Sequence, residues 1–155
     1  MPAQKLKQML DQKQIKYISI NHSPAYTARE TAASTFVPRR EFAKTIIVDL
    51  DGDKAMAVLS ASRHVDIVAL RQLAQASEAR LASEDEFREL FPDCEVGAMP
   101  PFGSLYGMRV YVDEMVTEVD DLCFNAGSHE QIIRMDCRDF LALERPVVGA
   151  FAIKE

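Results

Sequence analysis

No stretch of this 155-residue chain is apolar for long enough to cross a bilayer, and no apolar segment follows the first residues as in a secretion signal. The expectation is a cytoplasmic protein. Cysteine is scarce and poorly spaced for chemistry: Cys94, Cys123 and Cys137 cannot all pair with one another, and none belongs to a CxxC motif. Neither a zinc knuckle nor a redox dithiol is indicated, which leaves buried thiols in a reducing compartment. Positive charge is not in excess either. A total of 18 Lys and Arg against 24 Asp and Glu gives a formal net charge of −6, the wrong sign for a protein that coats nucleic acid non-specifically. A small basic mouth that takes one nucleic-acid end stays compatible with that balance. No repeat, low-complexity run or linker interrupts the chain, so residues 1–155 are read as a single domain. With 48% hydrophobic and 27% charged residues it has an ordinary globular composition. Its length is enough to bury a core without disulfide or metal staples. No cofactor and no metal are expected.

What is present is a chain of alternating strand and helix signals. Leu6, Met9 and Leu10 recur at helical spacing, and Tyr17-Ile18-Ser19-Ile20 reads as a strand. Thr27-Ala28-Arg29-Glu30 is a capping box that predicts a short helix to about Ser34. Residues 42–50 are rich in β-branched side chains, Asp51-Gly52 is a hairpin turn, and residues 54–59 return. Val65, Val68, Ala69, Leu73 and Ala76 mark a helix, and Ser83-Glu84-Asp85-Glu86 caps another that must stop before Pro92. Strands follow at 108–112, 122–125 and 130–135, with Gly127 breaking the run between the last two and Asp136 capping a helix through Leu143. Hairpins outnumber crossovers. The fold class is therefore α+β, one domain with a mixed, largely antiparallel curved sheet flanked by helices.

Three places in this pattern can carry chemistry. In the strand at 42–50, alternation puts Phe42, Lys44, Ile46, Val48 and Leu50 on one face. Four of these five are apolar, which makes it the inward face by count. A lysine there either snorkels its ammonium to solvent or is held and used. The second place is Gly97-Ala98-Met99-Pro100-Pro101-Phe102-Gly103, a stiff loop whose backbone can approach a ligand and aim N–H groups at a carbonyl oxygen. It also reads as a tight connection, and it lacks the GK[ST] ending of a phosphate loop. The third is Phe124-Asn125-Ala126-Gly127-Ser128-His129 at a hairpin tip, where Asn125 can hydrogen-bond a ligand and His129 can bond one or narrow a pocket. His22 and His64 lie in unrelated contexts, and no GxSxG elbow supports a serine triad.

Taken together these stretches resemble one family. From His22-Ser23-Pro24 to Asp139-Phe140 the chain is similar to the YbaK family, which shares its fold with the editing insertion of bacterial prolyl-tRNA synthetases. The matching segments are Phe42-Ala43-Lys44-Thr45-Ile46-Ile47, the Gly-x-x-x-Pro loop of Gly97 and Pro101, and the hairpin carrying Asn125, Gly127 and His129, followed by Ile133-Arg134-Met135. The resemblance implies a free-standing, trans-acting deacylase that hydrolyses the ester between a wrong amino acid and the 3′ end of tRNA. It implies that Lys44 is the essential lysine, an anchor for the terminal phosphate or the substrate carbonyl, and that the loop from Gly97 to Pro101 polarises the ester. Water attacks, or in some relatives a substrate group such as the ribose 2′-OH. Tyr26, Thr45, Met99, Phe102 and His129 are the expected pocket walls, favouring a small residue such as alanine or serine, with threonine or cysteine open. Arg39 and Arg40 are placed to take acceptor-stem phosphates, or else form a solvated pair. The expected partner is mischarged tRNA, with an aminoacyl-tRNA synthetase as a further one; neither membrane nor DNA is expected. Two competing readings are a non-catalytic amino-acid or tRNA-binding module and a DNA-binding regulator, the latter opposed by charge and the lack of a helix-turn-helix. A third, thiol chemistry at Cys94 or Cys123, would require an unusually low thiol pKa.

Overall fold

The computed structural model describes residues 4–21 and 39–154, with Arg39 described by its backbone alone. The capping box at 27–30, the helix expected after it, Tyr26, His22 and the Arg39 side chain lie outside the described residues. In chain order, α1 (Gln4–Gln12) buries Leu6 and Leu10, as their spacing requires, and leads to β1 (Tyr17–Asn21). A single 3-10 turn, Arg39–Glu41, enters β2 (Ala43–Leu50), which pairs along its length with β3 (Asp53–Ser60). Asp51 and Gly52 between them both have positive φ, the geometry that a two-residue turn matched to strand twist demands. β4 (Arg63–Val65) takes Val65 out of the expected helix. The helix itself, α2 (Ile67–Ala74), starts later because the Asp66 carboxylate accepts from the Ala69 N–H at 3.1 Å and fixes the N-cap there.

β5 (Ala79–Leu81) precedes α3 (Glu84–Phe87), whose Ser83–Glu86 capping box is formed as expected. The later elements are β6 (Arg109–Asp113), β7 (Asp121–Ser128), β8 (Gln131–Asp136), α4 (Cys137–Glu144) capped by Asp136, β9 (Val147–Gly149) and β10 (Ala152–Lys154). Gly127 does not end its strand. β7 continues through it with an irregularity between Asn125 and Ser128 that leaves Ala126 and Gly127 without partners on β8, and Gly127 takes a positive φ (95°) there.

The strands form a mixed, largely antiparallel α+β arrangement, split into three ladders instead of one. A five-stranded sheet runs β5-β2-β3-β6-β9, antiparallel among β5, β2 and β3 and parallel from β3 to β9. A three-stranded antiparallel sheet runs β1-β8-β7, and β10 pairs with β4. The two larger sheets touch through a parallel bridge between Phe42 and Cys123.

The face of β2 expected to point inward is buried, and so is its opposite. The central sheet is buried on both sides. Ala43, Ile47, Met56, Val58, Val110 and Val112 face the main core, together with Leu6 and Leu10, Leu122 and Phe124, and Phe140. The opposite face, with Val48, Leu50, Ala57, Leu59 and Tyr111, is covered by Leu70 of α2 and by Phe151. Lys44 does share a face with Phe42, Ile46 and Val48, but this is the second face and not the main one. Counting apolar residues cannot rank two faces when both are covered.

Candidate functional site

Lys44 is half-buried near the start of β2, opposite Leu59 of β3. Along its face it falls between the second core, which Ile46 joins, and a small third cluster of Phe42, Ala61, Cys123 and Ile132. The parallel bridge at Phe42 and Cys123 then sets its neighbour. Two residues further on, Lys44 on β2 and Asn125 on β7 point to the side that this cluster occupies. Asn125 is 5% exposed, and its Oδ1 has no hydrogen-bond partner among the described residues. A buried amide oxygen left without a donor costs about 1–3 kcal/mol, which singles this position out within β7.

β7 also reaches the glycine loop. Gly127 donates its N–H to Ala98 O at 2.8 Å, and its carbonyl accepts from the Glu95 N–H at 2.8 Å. His129 donates its backbone N–H to Glu95 Oε2 at 3.0 Å, and its Nε2 lies 2.8 Å from Val96 O. The loop and the hairpin tip, 30 residues apart in sequence, are thus one hydrogen-bonded unit. Gly97 is the exposed apex, at φ +86°, while Ala98, Pro100 and Pro101 are buried beneath it. Proline has no N–H, and the Ala98 and Phe102 amides are already bonded to Glu95 O and Pro100 O. Among the described residues, that leaves the Gly97, Met99 and Gly103 amides as the loop's unbonded donors.

The other expected site residues separate into groups. Thr45 is 7% exposed and, as the next residue along the strand, points to the main-core face opposite Lys44. Met99 and Phe102 are members of the main core, and Phe102 is fully buried between Phe124 and Phe140 at ring-centroid distances of 5.5 and 5.4 Å. Arg40 is exposed just ahead of β2. Glu95 was not singled out from the sequence, because a lone surface carboxylate gives no signal until its partners are folded beside it. Open concavities lie away from these residues: one of about 550 Å³ is bordered by Lys54, Ala76, Tyr106 and Arg109.

The thiols do not suit nucleophilic chemistry. Burial pushes Cys123 up to about 12, and Cys94 and Cys137 up to about 11, so each stays protonated at neutral pH. His64 on β4 and His129 at the loop sit in different parts of the fold, and no cluster of three metal-ligating side chains occurs among the described residues. No described helix is long and apolar enough to cross a membrane.

The fold is an α+β domain in which the hairpin tip at Gly127 and His129 is hydrogen-bonded to the glycine-proline loop. The chain belongs to the aminoacyl-tRNA editing domain family, whose model matches residues 22–143. It is an editing deacylase of mischarged aminoacyl-tRNA. Among curated proteins it is 28% identical over 114 residues to the Multifunctional Ser/Thr-tRNA deacylase ProXp-y of Escherichia coli, covering 70% of this chain and 68% of that protein. It is also 30% identical over 96 residues to the proline–tRNA ligase of Maridesulfovibrio salexigens, covering 61% of this chain but only 16% of the ligase. Among solved structures, hypothetical protein APE2540 superposes with a TM-score of 0.87 at 22% identity, over 97% of this chain and 100% of that one. A candidate trans-editing enzyme for prolyl-tRNA synthetase superposes with a TM-score of 0.82 at 21% identity, over 99% and 97%.

Proposed function

We propose that this domain acts in trans on tRNA carrying a small wrong amino acid, with Lys44 as an electrostatic anchor and the glycine loop as the oxyanion donor. The supporting observation is the convergence at β7, which sets the unpartnered Asn125 Oδ1 beside the Lys44 side of the junction and bonds Gly127 to the loop. An aminoacyl ester is already activated. A site need only fix it, stabilise the developing oxyanion and admit water, and no protein nucleophile is needed. Lys44 holds the terminal adenosine phosphate or the substrate carbonyl, and the Gly97 and Met99 N–H groups polarise the ester. Asn125 accepts a hydrogen bond from a substrate hydroxyl or amine. Arg39 and Arg40, at the entry to β2, take acceptor-stem phosphates.

Thr45, Met99 and Phe102 set the shape of the pocket from the core side, and Tyr26, outside the described residues, stays a candidate wall from the sequence alone. Discrimination by a single methylene is worth only about 1–3 kcal/mol, so rejection of larger residues comes from bulk. Serine or threonine is the amino acid that the ProXp-y relative is named for, and alanine and cysteine are of comparable size. The match covers 68% of that deacylase and 16% of the ligase. The test is a deacylation screen over Ala-, Ser-, Thr- and Cys-charged tRNAs, with Lys44→Ala as the control. Release of one or two of these amino acids, abolished in Lys44→Ala, is expected. Wild-type rates in Lys44→Ala across the panel would remove Lys44 from the mechanism.

A further inference from the structure

We propose that the open concavity between the end of α1 and β8 is a phosphate-binding groove for the tRNA backbone behind the ester, with Lys13 and Lys16 as its contacts. The proposal rests on the deacylase reading and gives that substrate a docking surface beyond Arg39 and Arg40. Charge is unevenly spread along the chain. Residues 1–16 carry four lysines and one acid, a net +3, while the remainder carries 14 basic and 23 acidic residues, a net −9. In an anionic protein a polyanion is best held where such a local excess occurs. The one acid of the segment, Asp11, accepts from the Tyr17 hydroxyl at 3.1 Å.

Helix α1 ends on a rigid turn. Gln14 takes the left-handed conformation (φ 56°), its N–H bonds Asp11 O at 3.1 Å, and the Ile15 N–H bonds Leu10 O at 2.9 Å. These two bonds form a Schellman closure, and Ile15 packs on the main core that contains Leu10. Lys13 and Lys16, before and after the closure, are exposed. Both border a concavity of about 770 Å³, together with Arg134, Asp121, Asp136 and Asp139. Two of the three carboxylates are already answered, Asp121 by Arg134 at 3.1 Å and Asp136 by Arg138 at 3.2 Å. Lys13 and Lys16 are in no ion pair among the described residues. Arg134 uses Nη2 for both Asp121 and Glu41, at 3.1 and 3.3 Å, and its Nη1 and Nε have no partner among the described residues. Such a planar fork suits phosphate oxygens.

The groove continues to the reacting end. Glu41 sits on the turn next to Arg40, and three residues of chain, about 10 Å at full extension, separate it from Lys44. A tRNA end anchored at Lys44 can run its preceding phosphates past Arg40 and Arg134 to Lys16 and Lys13. Phosphate contacts fix register without reading sequence, and each released counterion steepens the dependence of binding on salt. A lysine that serves only to blunt the edge of β1, or to favour a helix C-terminus, does neither.

The experiment compares Lys13→Gln/Lys16→Gln, which removes both charges, with Lys13→Arg/Lys16→Arg, which keeps them. Binding of uncharged tRNA is titrated between about 50 and about 200 mM salt, the range over which counterion release is read. Deacylation is followed on charged tRNA and on the same amino acid esterified to adenosine, which lacks the neighbouring phosphates. In the Gln pair the slope of log Kd against log salt is expected to fall by about 1.4–1.8, so that wild type loses about ten-fold more affinity than the variant over that range. Its KM on charged tRNA is expected to rise with kcat little changed, while the adenosine ester is cleaved at the wild-type rate. The Arg pair is expected to keep the wild-type slope. An unchanged slope in the Gln pair overturns the groove, and so does an equal loss of activity on the adenosine ester. A wild-type protein that binds tRNA with the expected slope but releases no amino acid from any of the four charged tRNAs would reject the deacylase reading and leave the groove standing.

Discussion

Phe102 decides between two views of the glycine-proline loop, and truncating it to alanine separates them. The side chain is fully buried, tilted against Phe124 at 5.5 Å and edge-on to Phe140 at 5.4 Å. Deleting a fully buried phenylalanine ring costs about 3–5 kcal/mol from lost transfer energy and the cavity left behind. Within that total, two aromatic contacts are worth roughly 0.5–1.5 kcal/mol each beyond area. The rigid partners, one on β7 and one on α4, limit collapse of the space, which argues for the middle of the range. With an unfolding slope of about 2 kcal/mol per molar urea, a loss of about 4 kcal/mol moves the midpoint down by about 2 M. The assay is equilibrium urea unfolding followed by far-UV circular dichroism, with deacylation measured at a temperature where the variant stays folded. A midpoint within about 0.3 M of wild type, together with a changed amino-acid preference, would refute the core assignment and make Phe102 a pocket wall.

Two further perturbations test the frame around the site. Gly103→Ala drives a side-chain carbon into the Met108 carbonyl oxygen and to 2.6 Å from Val110 Cγ2, so it should destabilise by roughly 2–3 kcal/mol in the same unfolding assay; a neutral result would mean that the turn after the loop is not tightly packed. The carboxylates that close the far end of β2 should shape the acid limb of stability. The Arg80 guanidinium bonds Glu86 at 2.6 and 2.7 Å and holds its carboxyl well below the usual range, while the Lys54 ammonium at 2.7 Å lowers Asp49. Both folded values lie below the unfolded ones, so this stability is fully present above the unfolded carboxylate pKa and is lost as pH falls through the folded values. Glu86→Gln should flatten the fall in unfolding midpoint below about pH 4.3, and an unchanged acid limb would contradict the linkage.

Element type was legible wherever a local signal had a local cause. The Asp51-Gly52 turn, the Ser83–Glu86 box and the Asp136 cap each state their geometry in four residues or fewer, and each formed as expected. The three-residue strands β4, β5, β9 and β10 did not show, because three residues are too few for alternation to emerge and their pairing partners are distant in sequence. The start of α2 was misplaced by two residues because apolar spacing outvoted Asp66, the cap that fixes it. Gly127 read as a strand breaker because sequence cannot distinguish a turn glycine from one inside an irregular strand.

The site divides along the same line. The residues alone supplied a lysine among β-branched neighbours, a glycine-proline loop and an Asn-Ala-Gly-Ser-His tip, and their order along the chain pointed to the editing family whose model matches residues 22–143. The backbone periodicity of β2 also placed Lys44 with Phe42, Ile46 and Val48, because alternation is a local property of a strand. Only the tertiary structure decided what stands opposite that face. The Phe42–Cys123 bridge joins the start of the Lys44 strand to the strand of Asn125 across some 80 residues of sequence, and the Gly127 and His129 bonds carry the hairpin tip to the glycine loop. Neither pairing has a local cause, since each joins segments some 30 to 80 residues apart through bonds that exist only in the folded chain.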